Sequence, residues 1–101
     1  MKKLYKAVQE LVARNATHIK SGVRLNDLTV AQIFNHAHAE LCELYYATGG
    51  DVPAYRVESD EAQRRELGDL FAILCHVMVR KRWTPEQIES AALDKLQIRF
   101  R

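Results

Sequence analysis

Two pairs of acidic residues have the types and the spacing that could do chemistry. Glu40 and Glu43 are three residues apart, and so are Glu66 and Asp69. On a helix this spacing brings two side chains onto one face, so each pair would present two neighbouring carboxylates. Like charges placed this way destabilise an isolated helix by about 0.2–0.5 kcal/mol. We therefore expect a cation, in the first place a divalent metal ion, to hold the four carboxylates.

The sequence around these acids offers little opposite charge. The segment 30–47 contains no lysine or arginine, and Glu66 has no basic residue three or four positions away. Asp69 has Arg65 four positions before it. A solvated acidic helix face normally carries interspersed lysines, so this more ordinary interpretation is less favoured.

The ligand types narrow the choice of metal. Carboxylates without cysteine or histidine partners suit Mg²⁺ or Mn²⁺ better than zinc or copper. Helical di-iron sites use Glu-x-x-His on two helices, and no glutamate here is followed by a histidine at that spacing. We therefore predict Mg²⁺ as the cofactor, with Mn²⁺ as the alternative, and do not expect a di-iron oxidase or a ferritin-like protein.

Four helical stretches must position the acids, which predicts an all-α, four-helix bundle-type domain. Thr29 and Thr84 each precede an apolar helical pattern and have a glutamine three residues later, as in a capping box. Ser21-Gly22 is expected to end the first helix, and Gly49-Gly50 the second. The predicted helices run from Lys2 to about Lys20, from Val30 to about Ala47, from Ser59 or Asp60 to about Arg82, and from Pro85 to about Arg99.

Apolar residues at helical spacing are the predicted core, and the connection after residue 47 sets the register of the acids. Helices two and three should pack antiparallel. At about 1.5 Å per residue, both acidic pairs lie roughly 6–13 Å from that connection, so they should reach the same level. The predicted core residues are Leu4, Val8, Leu11, Val12 and Ile19 in the first helix, Ile33, Phe34, Ala37, Leu41, Leu44 and Tyr45 in the second, and Leu67, Leu70, Phe71, Leu74, Val77 and Met78 in the third.

Composition bounds the class of protein. The 101 residues are 48% hydrophobic and 28% charged, which is typical of one globular domain over residues 1–101. A net charge of +2 gives no reason to expect nucleic acid or an anionic membrane as a partner.

Cys42 and Cys75 are expected to be reduced and buried. No apolar run approaches a membrane span or a signal peptide, so we expect a cytoplasmic protein. A domain this small would gain from sharing apolar surface, so we also expect a homo-oligomer, dimer or tetramer.

The two acidic pairs, separated by 22 residues, together resemble the signature of the MazG-like all-α nucleoside triphosphate pyrophosphohydrolases. The similarity covers roughly residues 28–99 and includes Asp94, Lys95 and Arg99 on the last helix. It implies hydrolysis of a nucleoside triphosphate, a deoxynucleotide or a non-standard nucleotide, to monophosphate and pyrophosphate as nucleotide-pool house-cleaning. It also implies that Glu40, Glu43, Glu66 and Asp69 bind Mg²⁺ and act through a metal-activated water. Many members carry another glutamate where this chain has Ala39, which leaves the general base open.

Other residues are weaker candidates, each with an ordinary alternative. Lys95 and Arg99 could bind the triphosphate, with Asp94 beside them, or simply complement the dipole of a helix C-terminus. His36, one turn before Glu40, could touch substrate or be a hydrogen-bonded helical histidine. Tyr55 and Arg56 could meet a ligand or pack on the surface.

Further histidines and basic residues are expected to have structural or surface roles. His38 and His76 belong to this group, and the run Arg80-Lys81-Arg82 is interpreted as a solvated helix end. The competing function is a non-catalytic helical dimerisation or nucleotide-sensing module that keeps the acids.

Overall fold

The computed structural model of this protein describes residues 1–50 and 56–100. These residues form four α-helices and one short 3-10 helix, and their strand-like pairing is limited to an isolated bridge between Thr17 and Arg24. The prediction of an all-α chain with four helices is thus confirmed for the described residues. The helices are α1 (Lys2–Ala13), α2 (Val30–Ala47), α3 (Asp60–Lys81) and α4 (Pro85–Arg99), and the 3-10 helix is Leu25–Asp27.

Local capping fixes the starts of α2 and α4, as the sequence predicts. The Thr29 hydroxyl accepts a hydrogen bond from the Gln32 backbone N–H, and the Gln32 side chain accepts one from the Thr29 N–H. Thr84 and Gln87 make the same reciprocal pair. Each box satisfies two backbone N–H groups that have no partner within the helix.

The first helix ends seven residues earlier than expected, at Ala13 rather than near Lys20. Asn15 adopts a left-handed φ of 49°, and its side-chain oxygen accepts the Asn26 backbone N–H at 2.9 Å. The Asn26 side chain in turn donates to the Val12 carbonyl, which holds the end of the helix. The predicted core position Ile19 is therefore wrong, because it lies in the turn beyond the helix with 98% of its surface exposed.

The core lies between α3 and the two helices that pack against it. The backbone N–H of Glu58 donates to the Ala47 carbonyl at 2.8 Å, which ties the end of α2 to the approach to α3 and makes the two helices an antiparallel pair. On another side of α3, Cys75 and Met78 pack with Val8 of α1. Ile33, Ala37 and Val77 are also buried, as the helical pattern predicts for these three positions.

Several predicted core residues are instead exposed, and α4 contributes no buried residue among those described. Leu41 and Phe71 keep 51% and 40% of their surface exposed. The reason is that only three helices pack together within one chain, so the far faces of α2 and α3 have no covering layer. The predicted core residues exposed in this way are Phe34, Leu41, Tyr45, Leu67, Phe71 and Leu74.

The molecule is open in shape for its length. Its radius of gyration is 15.7 Å, whereas about 13 Å is typical of a compact domain of this size. Its accessible surface is 8021 Å², against about 5,800 Å² expected from its mass. In the part of the chain that the structure describes, none of the helices combines the length and the apolar character needed to cross a membrane.

Candidate metal centre

Three of the four predicted acids converge between α2 and α3. Glu40, Glu43 and Glu66 each offer a carboxylate oxygen, and these oxygens lie within 4.8 Å of one another. Glu40 and Glu66 are half-buried, and Glu43 is exposed to solvent. The three-residue spacing within α2 and the antiparallel packing of α3 together produce this arrangement.

Asp69 lies one helical turn beyond Glu66 and is not part of that close group. Its side chain is exposed, and it lines a cleft together with Glu40. Its negative charge still raises the pKa of both Glu40 and Glu66. Asp69 is thus near enough to act electrostatically on the cluster, as a group at its edge.

Each of the two half-buried carboxylates has one oxygen that lacks a stabilising partner. One oxygen of Glu40 and one of Glu66, Oε2 in each case, are buried and find no hydrogen-bond partner among the described residues. Burial raises the pKa of both carboxyls, and the charges of Glu43 and Asp69 raise it further. Because a bound cation would satisfy these oxygens and reverse the repulsion, the donor set fits a hard divalent ion such as Mg²⁺ or Mn²⁺.

Side-chain cations do not neutralise the cluster. His36 comes nearest, with its Nε2 3.4 Å from an oxygen of Glu40, as expected for a histidine one turn away. Arg65 pairs with Glu61 at 2.6 Å and not with Asp69, the partner its spacing suggested. Within the described ranges, no lysine or arginine forms an ion pair with any of the four acids.

Two clefts lie on either side of the acidic group, and each brings a basic residue near it. Arg56 shares one cleft with Glu43 and Glu66. Lys20 shares the other with Glu40 and Asp69. Sequence reasoning considered Arg56 and missed Lys20, which was assigned to the end of a long first helix. Tyr55, the other residue considered in this connection, lies outside the described residues.

The predicted substrate residues on α4 are not brought to the acids within one chain. Asp94, Lys95 and Arg99 are all exposed, and the lining residues of both clefts, so far as they are described, include no residue of α4. Their distance from the cluster follows from the way α4 lies outside the packing of the other three helices. His36, in contrast, stands directly beside Glu40.

No family model, curated protein or solved structure matches this chain. A functional proposal must therefore stand on the residues and their geometry.

Proposed function

We propose that this protein is a Mg²⁺-dependent nucleoside triphosphate pyrophosphohydrolase, which releases a nucleoside monophosphate and pyrophosphate. The observation that carries the proposal is the convergence of Glu40, Glu43 and Glu66 from two helices, with two buried oxygens left without partners. In its fully ionised form such a group is costly unless it binds a cation. The spacing of the four acids adds support through its resemblance to the MazG-like enzymes.

In this proposal Glu40, Glu43 and Glu66 hold the cation, and Asp69 completes the set from the edge of the site. A bound Mg²⁺ would supply charge neutralisation for phosphate oxygens and a water of lowered pKa as the nucleophile. Glu43 is the exposed member and faces the solvent from which the substrate arrives. His36 orients Glu40 through the 3.4 Å contact.

Arg56 and Lys20 are the basic residues that the fold places beside the acids, so we assign phosphate binding to them. A guanidinium is well suited to this task because it donates two parallel hydrogen bonds to phosphate oxygens. Lys95 and Arg99 keep such a role only in an assembly in which a second copy brings α4 to the site. A homo-oligomer remains part of the proposal.

The decisive experiment is pyrophosphate release from a panel of ribo- and deoxyribonucleoside triphosphates with Mg²⁺. We expect Glu66→Gln to reduce turnover by about 100-fold or more, since even the loss of an outer-shell group at a metal site costs 10–100-fold. Glu61→Gln is the matched control, because Glu61 lies on the same helix and pairs with Arg65 on the surface. Turnover that is absent across the panel, or equal in both variants, would refute the enzyme.

The second candidate is a non-catalytic nucleotide-sensing or dimerisation module. The extent of exposed apolar surface on α2, α3 and α4 favours it, because this surface suits an assembly with or without chemistry. Stabilisation by Mg²⁺ and nucleotide without pyrophosphate release would support this module over the enzyme.

A further inference from the structure

An open cavity of about 460 Å³ lies beside the acidic cluster, bordered by α1, the connection before α2, and the helices α2 and α3. Most of its wall is aliphatic and includes Val8, Leu11, Ile33 and Ile73. Its volume falls within the range of about 300–1,000 Å³ that is typical of small-molecule sites. The cavity is therefore large enough for a ligand group and apolar enough to favour a flat, uncharged one.

This cavity adjoins the cleft of the metal centre. Leu11, His18 and Leu25 line both the cavity and the cleft that contains Glu40 and Asp69. A molecule whose phosphates lie over the acids would thus place its remaining part in or near the cavity. Arg56 is in the cleft on the Glu43 and Glu66 side. The Glu40 and Asp69 side thus combines Lys20 in the cleft with the apolar cavity next to it, whereas the Glu43 and Glu66 side carries Arg56.

One polar side chain in the cavity wall lacks a partner. His76 is only 7% exposed, and its Nε2 is buried without a hydrogen bond to any residue that the structure describes. Burial, and then the nearby charge of Arg80, lower the pKa of His76, so the ring is neutral and offers one donor and one acceptor nitrogen. A buried ring nitrogen without a partner is unfavourable, which points to a partner supplied from outside the chain.

The other histidines of the cavity differ from His76 in this respect. The Nδ1 of His18 accepts the backbone N–H groups of Lys20 and Ser21, both at 3.2 Å. His36 contacts Glu40. His76 is thus the histidine in this wall that has a buried ring nitrogen without a partner among the described residues.

We propose that this cavity receives the base of the nucleotide and that His76 is the residue that selects among bases by hydrogen bonding through Nε2. The inference rests on the proposed function. A nucleobase matches the wall because its faces are apolar and its polar atoms lie at the ring edge. A sugar or phosphate here would lose its hydration without gaining enough partners, and a purely aliphatic ligand would leave Nε2 unsatisfied. The substrate then lies with its base toward His76, its phosphates over the acids and its far end toward Arg56.

The first test compares kcat/KM across the nucleotide panel in wild type and His76→Phe, which keeps a ring of similar shape without the nitrogens. We expect the preference of the wild type for its best base to fall by 10-fold or more, mainly through KM. His38→Phe is the matched control, because His38 lies on the exposed surface of α2 and contacts Cys42. His76→Asn, which keeps a polar group, should retain part of the preference and also covers the case in which His76→Phe does not fold.

The second test does not require catalysis. Nucleosides carrying each of the common bases are added at millimolar concentration without metal, and the ring nitrogens of His76 are followed by NMR. We expect one nucleoside to shift the Nε2 resonance selectively, with no such effect on His38. Absence of any shift, or equal shifts from every nucleoside, overturns the inference whether or not the protein hydrolyses nucleotides. A selective shift in a protein that releases no pyrophosphate would refute the hydrolase and leave the base site standing.

Discussion

At the scale of single residues, the carboxylates of Glu40 and Glu66 lie in an energetically unfavourable arrangement. Each has a buried oxygen without a partner among the described residues, and each carries a pKa raised first by burial and then by neighbouring carboxylates. A carboxylate arrangement of this kind lowers the stability of the folded protein, and a bound cation would relieve the repulsion. We therefore expect stability and cation binding to be opposed at these two positions.

The metal-free protein should be stabilised at neutral pH by Glu66→Gln. Because the folded-state pKa of Glu66 is raised above its ordinary value of 4.5, the folded carboxyl holds its proton more tightly than the unfolded one, and stability is lost as pH rises through the folded pKa. Each 1 kcal/mol gained in the free energy of unfolding raises the melting temperature of a domain this size by about 4–8 °C. In thermal melts with a metal chelator present, the melting temperature of Glu66→Gln should be higher than that of wild type at neutral pH. Below pH 4.5 the two melting temperatures should be equal.

In the same melts Glu61→Gln is the control, and it should stay within about 0.5 kcal/mol of wild type at every pH, because Glu61 is exposed and its ion pair with Arg65 lies on the surface. A Glu66→Gln protein that melts below wild type at neutral pH would show that the carboxylate is already stabilised by a contact within the chain.

Mg²⁺ should raise the melting temperature of wild type. A ligand that binds only the folded state at 100 times its Kd contributes about 2.7 kcal/mol. We expect most of that gain to be lost in Glu40→Gln, because one of the converging carboxylates is then neutral. Glu58→Gln, which removes an exposed acid from the cleft of Glu43 and Glu66, should keep the gain. Equal stabilisation of all three proteins would indicate nonspecific ion binding.

At the scale of elements, the segment between α1 and α2 determines what surrounds the acids. It carries His18 and Lys20 to the cleft of Glu40 and Asp69. From α3, Arg80 donates to the Leu28 carbonyl at 2.7 Å and to the Leu25 carbonyl at 3.4 Å. The interpretation of Arg80 as part of a solvated helix end is therefore wrong, since it is half-buried and anchors this segment.

Removal of that anchor should loosen the cavity. Arg80→Met leaves the two carbonyls without this donor, and an unsatisfied buried group typically costs about 1–3 kcal/mol. Hydrogen exchange should increase in the segment 18–28 before it increases in α2. Lys81→Met is the neighbouring control and should change stability by about 0.5 kcal/mol or less, as for most exposed positions. Unchanged exchange in that segment would show that other contacts hold it.

Some features of the fold and the site could be predicted from sequence and others could not, because their causes act over different distances along the chain. The Thr29 and Thr84 caps were predictable since each partner is three residues away, and the level of the acids follows from one connection between two helices. The end of α1 depends instead on Asn26, eleven residues from Asn15. Lys20 comes to the cleft of Glu40 and Asp69, and the segment 18–28 closes over the cavity that His76 lines, through this nonlocal geometry, which leaves no periodic signal in the chain.

At the scale of the whole molecule, the exposed apolar faces and the acidic site point in different directions. Phe34 and Glu43 are nine residues apart on α2, which is about two and a half turns, so their side chains leave the helix on opposite sides. Phe71 follows Asp69 by two residues, again more than half a turn around α3. A second copy could therefore cover the apolar face and leave the metal centre open.

We expect this protein to self-associate through that face. The accessible surface of the protein exceeds that expected for a compact monomer of its mass by roughly 2,000 Å². This excess is comparable to the area that one partner buries in a large homodimer. The double variant Leu41→Asp with Phe71→Asp should sediment as a smaller species than wild type. Ile19→Asp is the control, because Ile19 is exposed in the turn after α1. A wild type that sediments as a monomer would contradict the expectation.

The complete burial of Cys75 gives the protein an internal probe of its own opening. Its thiol has no exposed surface and a pKa raised by burial, whereas Cys42 is only half-buried. An alkylating reagent that acts on the thiolate will therefore modify Cys42 in the folded state and reach Cys75 only when α1 separates from α3. Labelling of one native cysteine thus follows core opening in every variant described above, without any added reporter group.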